Sequence, residues 1–131
     1  MKSETLFEDT KFPRGDIWGG KYDPDIIWKR AKYLAPQTPW FYFEDGASRF
    51  QVNQGELGNC WFVATVAGLT LNPELFAKSV PLKGQTFKEK DYAGIFHFCF
   101  WQCGQWVDVV VDDYLPTKNG KLVFAHSKVR N

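Results

Sequence analysis

The sequence predicts an α+β domain, and three stretches carry that reading. From Cys60 to Leu71 there is no proline and one glycine, Gly68, and Trp61, Phe62, Val63, Val66 and Leu69 lie all round the segment. A helix without a polar face is expected to be buried. Ile95–Trp101, with four aromatics in seven residues, and Trp106–Val111 lie on either side of a turn at Gly104, which predicts two antiparallel strands. Lys118-Asn119-Gly120-Lys121 is a two-residue hairpin signal, since Asn-Gly accepts the positive φ of a type I′ turn.

The other elements follow in order. Residues 1–23 hold Pro13, Gly15, Gly19 and Gly20 among mixed charges and read as an extended lead that wraps the domain. Ile26, Ile27, Trp28, Tyr33 and Leu34 fit a short helix or an extended segment equally well, and Pro36 and Pro39 end that region. Trp40-Phe41-Tyr42-Phe43 reads as a strand entering a turn at Glu44-Asp45-Gly46. Gln54–Asn59 is a loop with two glycines, and Asn59 is a favourable N-cap for the central helix. Asn72, with Pro73 and Glu74 behind it, caps a second, short helix ending near Val80-Pro81. Lys-rich residues 82–91 are expected as an exposed loop. In the first strand Phe96, Phe98 and Phe100 share one face, opposite Ile95, His97, Cys99 and Trp101. The last hairpin leads into a strand over Leu122–Ala125.

Composition excludes several classes of function. Sixteen basic and fifteen acidic residues leave a net charge of +1, too little to draw the chain to nucleic acid or an anionic membrane. A hydrophobic share of 44% with 24% charged residues is globular, not disordered. Aromatics at 18% predict a core or groove built from large rings. No stretch reaches the ~20 apolar residues of a membrane span. Three cysteines, an odd and sparse count, and no apolar run at the start suit a reducing, cytoplasmic setting.

The chemistry is concentrated in Gln54-Gly-Glu-Leu-Gly-Asn-Cys60-Trp-Phe. A cysteine in the first turn of a helix faces unpaired N–H groups and the positive end of the helix dipole, which favour thiolate over thiol. The glycines let the backbone approach a substrate. The Gln54 amide can fold back to join the Cys60 N–H as an oxyanion hole. On spacing alone, a nucleophile and a buried structural cysteine stand level.

This segment resembles the nucleophile signature of calpains, calcium-dependent cysteine proteases of papain-like fold. Ile26-Ile-Trp-Lys-Arg30, Asp45-Gly46-Ala47-x-Arg49, Leu69-Thr-Leu-Asn-Pro73, Tyr92–Trp101, Trp106–Asp113 and Leu115–Phe124 are similar to calpain segments in the same order. By that resemblance Cys60 matches the nucleophile and Gln54 the oxyanion-hole glutamine. It also implies a calcium held by backbone carbonyls at Glu44 and Gly46 and by two carboxylates. Gln51 stands where one carboxylate is expected, Asn59 replaces the usual Asp before the cysteine, and the second carboxylate would fall beyond Asn131. The catalytic His and Asn of the family belong to a second subdomain, also beyond Asn131. The expectation is therefore residues 1–131 as the first catalytic subdomain of an intracellular endopeptidase, without appreciable activity alone. Its partners would be protein substrates or a complementary protease subdomain. The alternative is a non-catalytic module that binds a protein through a half-cleft of apolar surface.

His97 is expected as a core or cleft histidine and His126 as an exposed one, with a Cys60–His126 dyad as a further alternative. His97, Cys99 and Cys103 offer no fourth metal ligand nearby, so reduced, partly buried thiols are expected. Asp108, Asp112 and Asp113 read as turn and solvated surface, and Lys29, Arg30 and Lys32 as a solvated face.

Overall fold

The computed structural model describes residues 5–18, 23–35, 52–53, 58–88, 90–124 and 126–127. The aromatic run 40–43 lies outside them. Among the described residues the architecture is mixed, with two α-helices and antiparallel strands. A single 3-10 turn, Arg14–Trp18, interrupts the N-terminal segment.

Of the two readings open for residues 26–34, the extended one holds. β1 (Ile27–Arg30) is a strand, and one 3-10 turn, Ala31–Tyr33, follows it. Its partner is β5 (Tyr114–Lys118), antiparallel, with Ile27 opposite Thr117 and Arg30 opposite Tyr114. β5 continues into β6 (Lys121–Leu122) through Asn119 (φ 52°) and Gly120 (φ 75°), the two positive values that a type I′ turn requires. β6 is shorter than the expected run to Ala125. Val123 leaves the strand, donates its N–H to Pro116 O (3.2 Å) and is buried. A second pair joins β2 (Val52–Asn53) to β7 (His126–Ser127).

The long hairpin is β3 (Ile95–Gln102) with β4 (Gln105–Asp112), turning at Cys103 (φ 50°) and Gly104 (φ 84°). Phe96 enters the core with Phe87 and Tyr92, and Leu6, Ala31, Phe98 and Val111 pack against them. Phe87 and Phe96 stack with centroids 4.9 Å apart. The shared face of Phe96, Phe98 and Phe100 is real, but Phe100 is 45% exposed because the hairpin outruns its core.

Two sequence expectations need correction here. Residues 82–91 are not wholly an exposed loop, because Phe87 is buried. Gln85 reaches β3 with both ends of its amide: Nε2 donates to His97 O (2.9 Å), and Oε1 accepts from His97 N–H (2.7 Å). A side chain thus takes the place of a neighbouring strand. Nor are Arg30 and Asp113 solvated. Both are buried and form an ion pair of 2.6 Å. The other Asp113 oxygen accepts from the Tyr92 hydroxyl, and the Arg30 guanidinium also donates to Phe7 O (2.9 Å). Gly94 (φ 69°) lies under this cluster, where an added Cβ would come within 2.6 Å of Arg30 Nη1. Further links hold the N-terminal segment, among them Phe7 N–H to Ala93 O (2.9 Å) and Asp9 N–H to an Asp112 carboxylate oxygen (3.0 Å).

α1 (Cys60–Leu69) starts at the expected residue, and α2 (Pro73–Ser79) follows it. The expectation of a buried central helix is not met. No residue of α1 is buried; Trp61 is 70% and Phe62 41% exposed. Apolar residues all round a helix signal that its faces want cover, and the described residues do not supply it.

The buried pair generates two expectations. Asp113→Asn leaves the Arg30 charge under cover without its counter-ion and is expected to cost about 3 kcal/mol, the low end for a broken buried pair; urea denaturation measures it. Burial, and then the hydrogen bond to Asp113, push the Tyr92 phenol up. The unfolded chain then loses that proton first, so stability is full below about pH 10 and falls as pH rises beyond it. Melting midpoints across pH should show this decline, and Tyr92→Phe should lack that part of it.

Candidate active site

Cys60 is the first residue of α1 and is exposed. The helix begins because the Asn59 carbonyl accepts from Phe62 N–H (3.0 Å) and Val63 N–H (3.1 Å). The Asn59 side chain does not cap, contrary to expectation. At φ −112° and ψ 27° it makes no cap bond, and its Oδ1 is buried with no hydrogen-bond partner among the described residues. Asn72 does cap: at φ −120° and ψ 94° its Oδ1 accepts from Leu75 N–H (3.1 Å), with Pro73 at the first helical position. The β-region backbone aims the Asn72 side chain at the helix, and Asn59 lacks that backbone.

One side of α1 opens an apolar groove of about 930 Å³. Trp61, Phe62 and Leu69 line it from α1, Leu75 from α2, and Trp101 and Trp106 from the long hairpin. The two hairpin tryptophans meet edge to face at 5.5 Å, and Lys78 Nζ lies 5.6 Å over the Trp106 ring.

Gln54 lies outside the described residues, as do Glu44, Gly46 and Gln51. His126 is described only as backbone, paired with Asn53 in β7. His97 is engaged on the hairpin. Its Nε2 is 2.8 Å from Asp108 Oδ1, and the Cys99 thiol donates to that same oxygen at 3.1 Å. The His97 contact, followed by the Cys99 bond, lowers the Asp108 carboxyl below its ordinary range. The same bond to Asp108 pushes the Cys99 thiol up. The structure therefore groups His97 and Cys99 with Asp108, where the sequence reading had grouped them with Cys103. A two-residue turn at Cys103-Gly104 puts Cys99 and Asp108 equally far from it, a signal that hairpin arithmetic contains.

A family profile for calpain family cysteine proteases matches residues 7–131. The chain belongs to the calpain family. It is 46% identical over 139 residues to calpain-8 of Rattus norvegicus and 49% identical over 137 residues to calpain clp-1 of Caenorhabditis elegans. It is 47% identical over 134 residues to calpain-A of Drosophila melanogaster. Each match covers 100% of this chain, which spans only 19%, 17% and 16% of those calpains.

The resemblance to calpains implies calcium, and the neutral Gln51 stands where that resemblance places a carboxylate, the donor a hard cation prefers. Among the described residues, no helix is long and apolar enough to cross a membrane.

The two caps separate cleanly in an alanine test. Asn72→Ala should cost about 1 kcal/mol, the usual worth of a lost N-cap, whereas Asn59→Ala should cost less than about half of that. Paired thermal unfolding curves of the two variants check the contrast.

Proposed function

We propose that residues 1–131 are the first catalytic subdomain of a calcium-dependent cysteine endopeptidase, with residues 1–23 as its lead. Its substrates are cytoplasmic proteins cut at a few sites. The observation that carries this reading is an exposed Cys60 at the first position of α1, within a chain matched by the calpain profile.

The Cys60 sulfur attacks the peptide carbonyl carbon. The Gln54 amide and the Cys60 N–H steady the resulting oxyanion. The bond to the leaving amine breaks as that amine takes a proton, and an acyl-enzyme remains for water to hydrolyse. An imidazole has to draw the proton from Cys60 and return it to the amine. His97, hydrogen-bonded to Asp108 on the hairpin, is not placed in that role. The base is supplied instead by a second subdomain facing Cys60, and the apolar groove beside α1 suits a protein surface of that kind. Calcium enters this reading through the family alone, with Gln51 weakening the site.

Joining residues 1–131 to the following protease segment of a relative such as rat calpain-8 tests the reading. The fusion should hydrolyse casein, and the 131-residue chain alone should not. Cys60→Ala should abolish hydrolysis, a loss of about 10⁴-fold or more. Gln54→Ala should lower kcat by about 10²–10³-fold. A fusion that folds but hydrolyses equally well with and without Cys60 would refute the assignment.

A further inference from the structure

The solvent face of the β3–β4 hairpin brings together three side chains that the protease chemistry does not use. His97 and Cys99 are two residues apart on β3 and so share a face, and Asp108 lies directly across from Cys99 on β4. The His97 N–H and C=O point to Gln85 and away from β4. Odd-numbered positions of β3 are therefore the non-hydrogen-bonded ones, where cross-strand side chains come closest. His97 Nε2, Cys99 Sγ and an Asp108 carboxylate oxygen lie within 4.8 Å of one another.

We propose that His97, Cys99 and Asp108 form a binding site for a borderline-soft divalent cation of the zinc type. The donor set of one imidazole nitrogen, one thiolate and one carboxylate oxygen is the mixture zinc accepts, and three protein ligands leave a fourth position for water.

The spacing supports this choice. Ideal tetrahedral zinc with the usual bond lengths sets its nitrogen and sulfur ligands about 3.5 Å apart. His97 Nε2 and Cys99 Sγ already stand at 3.6 Å. The oxygen of Asp108, at 2.8 Å from the nitrogen and 3.1 Å from the sulfur, has to withdraw by about 0.5 Å to reach tetrahedral separations. Its side chain is 76% exposed and free to do so. Gln85 fixes the β3 backbone at His97 from the other side, so the strand that carries two of the ligands is held before the ion arrives. On binding, the ion replaces the proton that Cys99 shares with Asp108, which leaves to solvent, and His97 takes its Nδ1–H tautomer, the hydrogen that Nε2 directs at Asp108 passing to Nδ1 through solvent so that Nε2 can coordinate. With a side-chain exposure of 41% at His97, the entry path is open.

Cobalt(II) titration of the intact 131-residue chain reads the site directly. The expected result is a tetrahedral ligand-field spectrum with a thiolate-to-cobalt band, abolished by excess zinc and unaffected by magnesium. Cys99→Ser and Asp108→Asn should each weaken binding by about tenfold or more, since even outer-sphere partners of a metal are worth that much. Cys60→Ser and Cys103→Ser should leave it unchanged. The unaltered chain gives a second readout that does not depend on variant folding: zinc should slow alkylation of Cys99, mapped by mass spectrometry, and not that of Cys103. No thiolate band, a band that survives Cys99→Ser but disappears with Cys60→Ser or Cys103→Ser, or equal alkylation of Cys99 with and without zinc would each overturn the proposal.

Discussion

The fold hangs on one buried charge pair. Arg30 is at the end of β1, and Asp113 is in the link from β4 to β5, 83 positions later in the chain. Their contact therefore locks the three-stranded sheet to the hairpin. Each partner has further bonds to satisfy it: Asp113 takes the Tyr92 hydroxyl, and Arg30 donates to Phe7 O and rests its guanidinium 4.3 Å over the Tyr114 ring. A buried pair of this sort adds little net stability over apolar packing, but it tolerates very few alternative arrangements. The close fit of Gly94 beneath Arg30 is part of the same constraint, because a side chain there would push the guanidinium off its partner.

Much of the sheet was legible in the sequence because turns and alternation are local. Asn119-Gly120 announced its hairpin by backbone chemistry, and the register of β3 and β4 follows from counting outward from Cys103-Gly104. What the sequence hid is long-range. Nothing local tells that Arg30 meets Asp113, or that Gln85 joins the backbone at His97. In the sequence Arg30, Asp113 and Gln85 therefore look like ordinary surface residues. The 26–34 stretch was ambiguous for the opposite reason: its apolar spacing suits either state, and pairing with β5 decided it.

The candidate site was legible in part. Cys60 at the start of α1 followed from the absence of helix breakers after Asn59 and from the loop glycines before it. The pattern of apolar residues announced that α1 seeks cover, but a pattern cannot say which chain provides it. Here the consequence is visible as Trp61, Leu71 and Trp101 all more than 60% exposed, an arrangement that water disfavours. The Asn59 reading failed on a finer point. Residue type favours capping, but the cap forms only when the backbone adopts the β region, as it does at Asn72 and not at Asn59.

The amide of Gln85 has an effect beyond holding one residue in place. A two-stranded hairpin offers a row of unpaired backbone groups along each outer side, and such rows recruit strands from other molecules. By occupying both groups of His97 midway along β3, Gln85 interrupts that row before a foreign strand can extend along it. In a chain with so much aromatic surface already in contact with water, a single neutral side chain thus acts as a guard against intermolecular sheet growth.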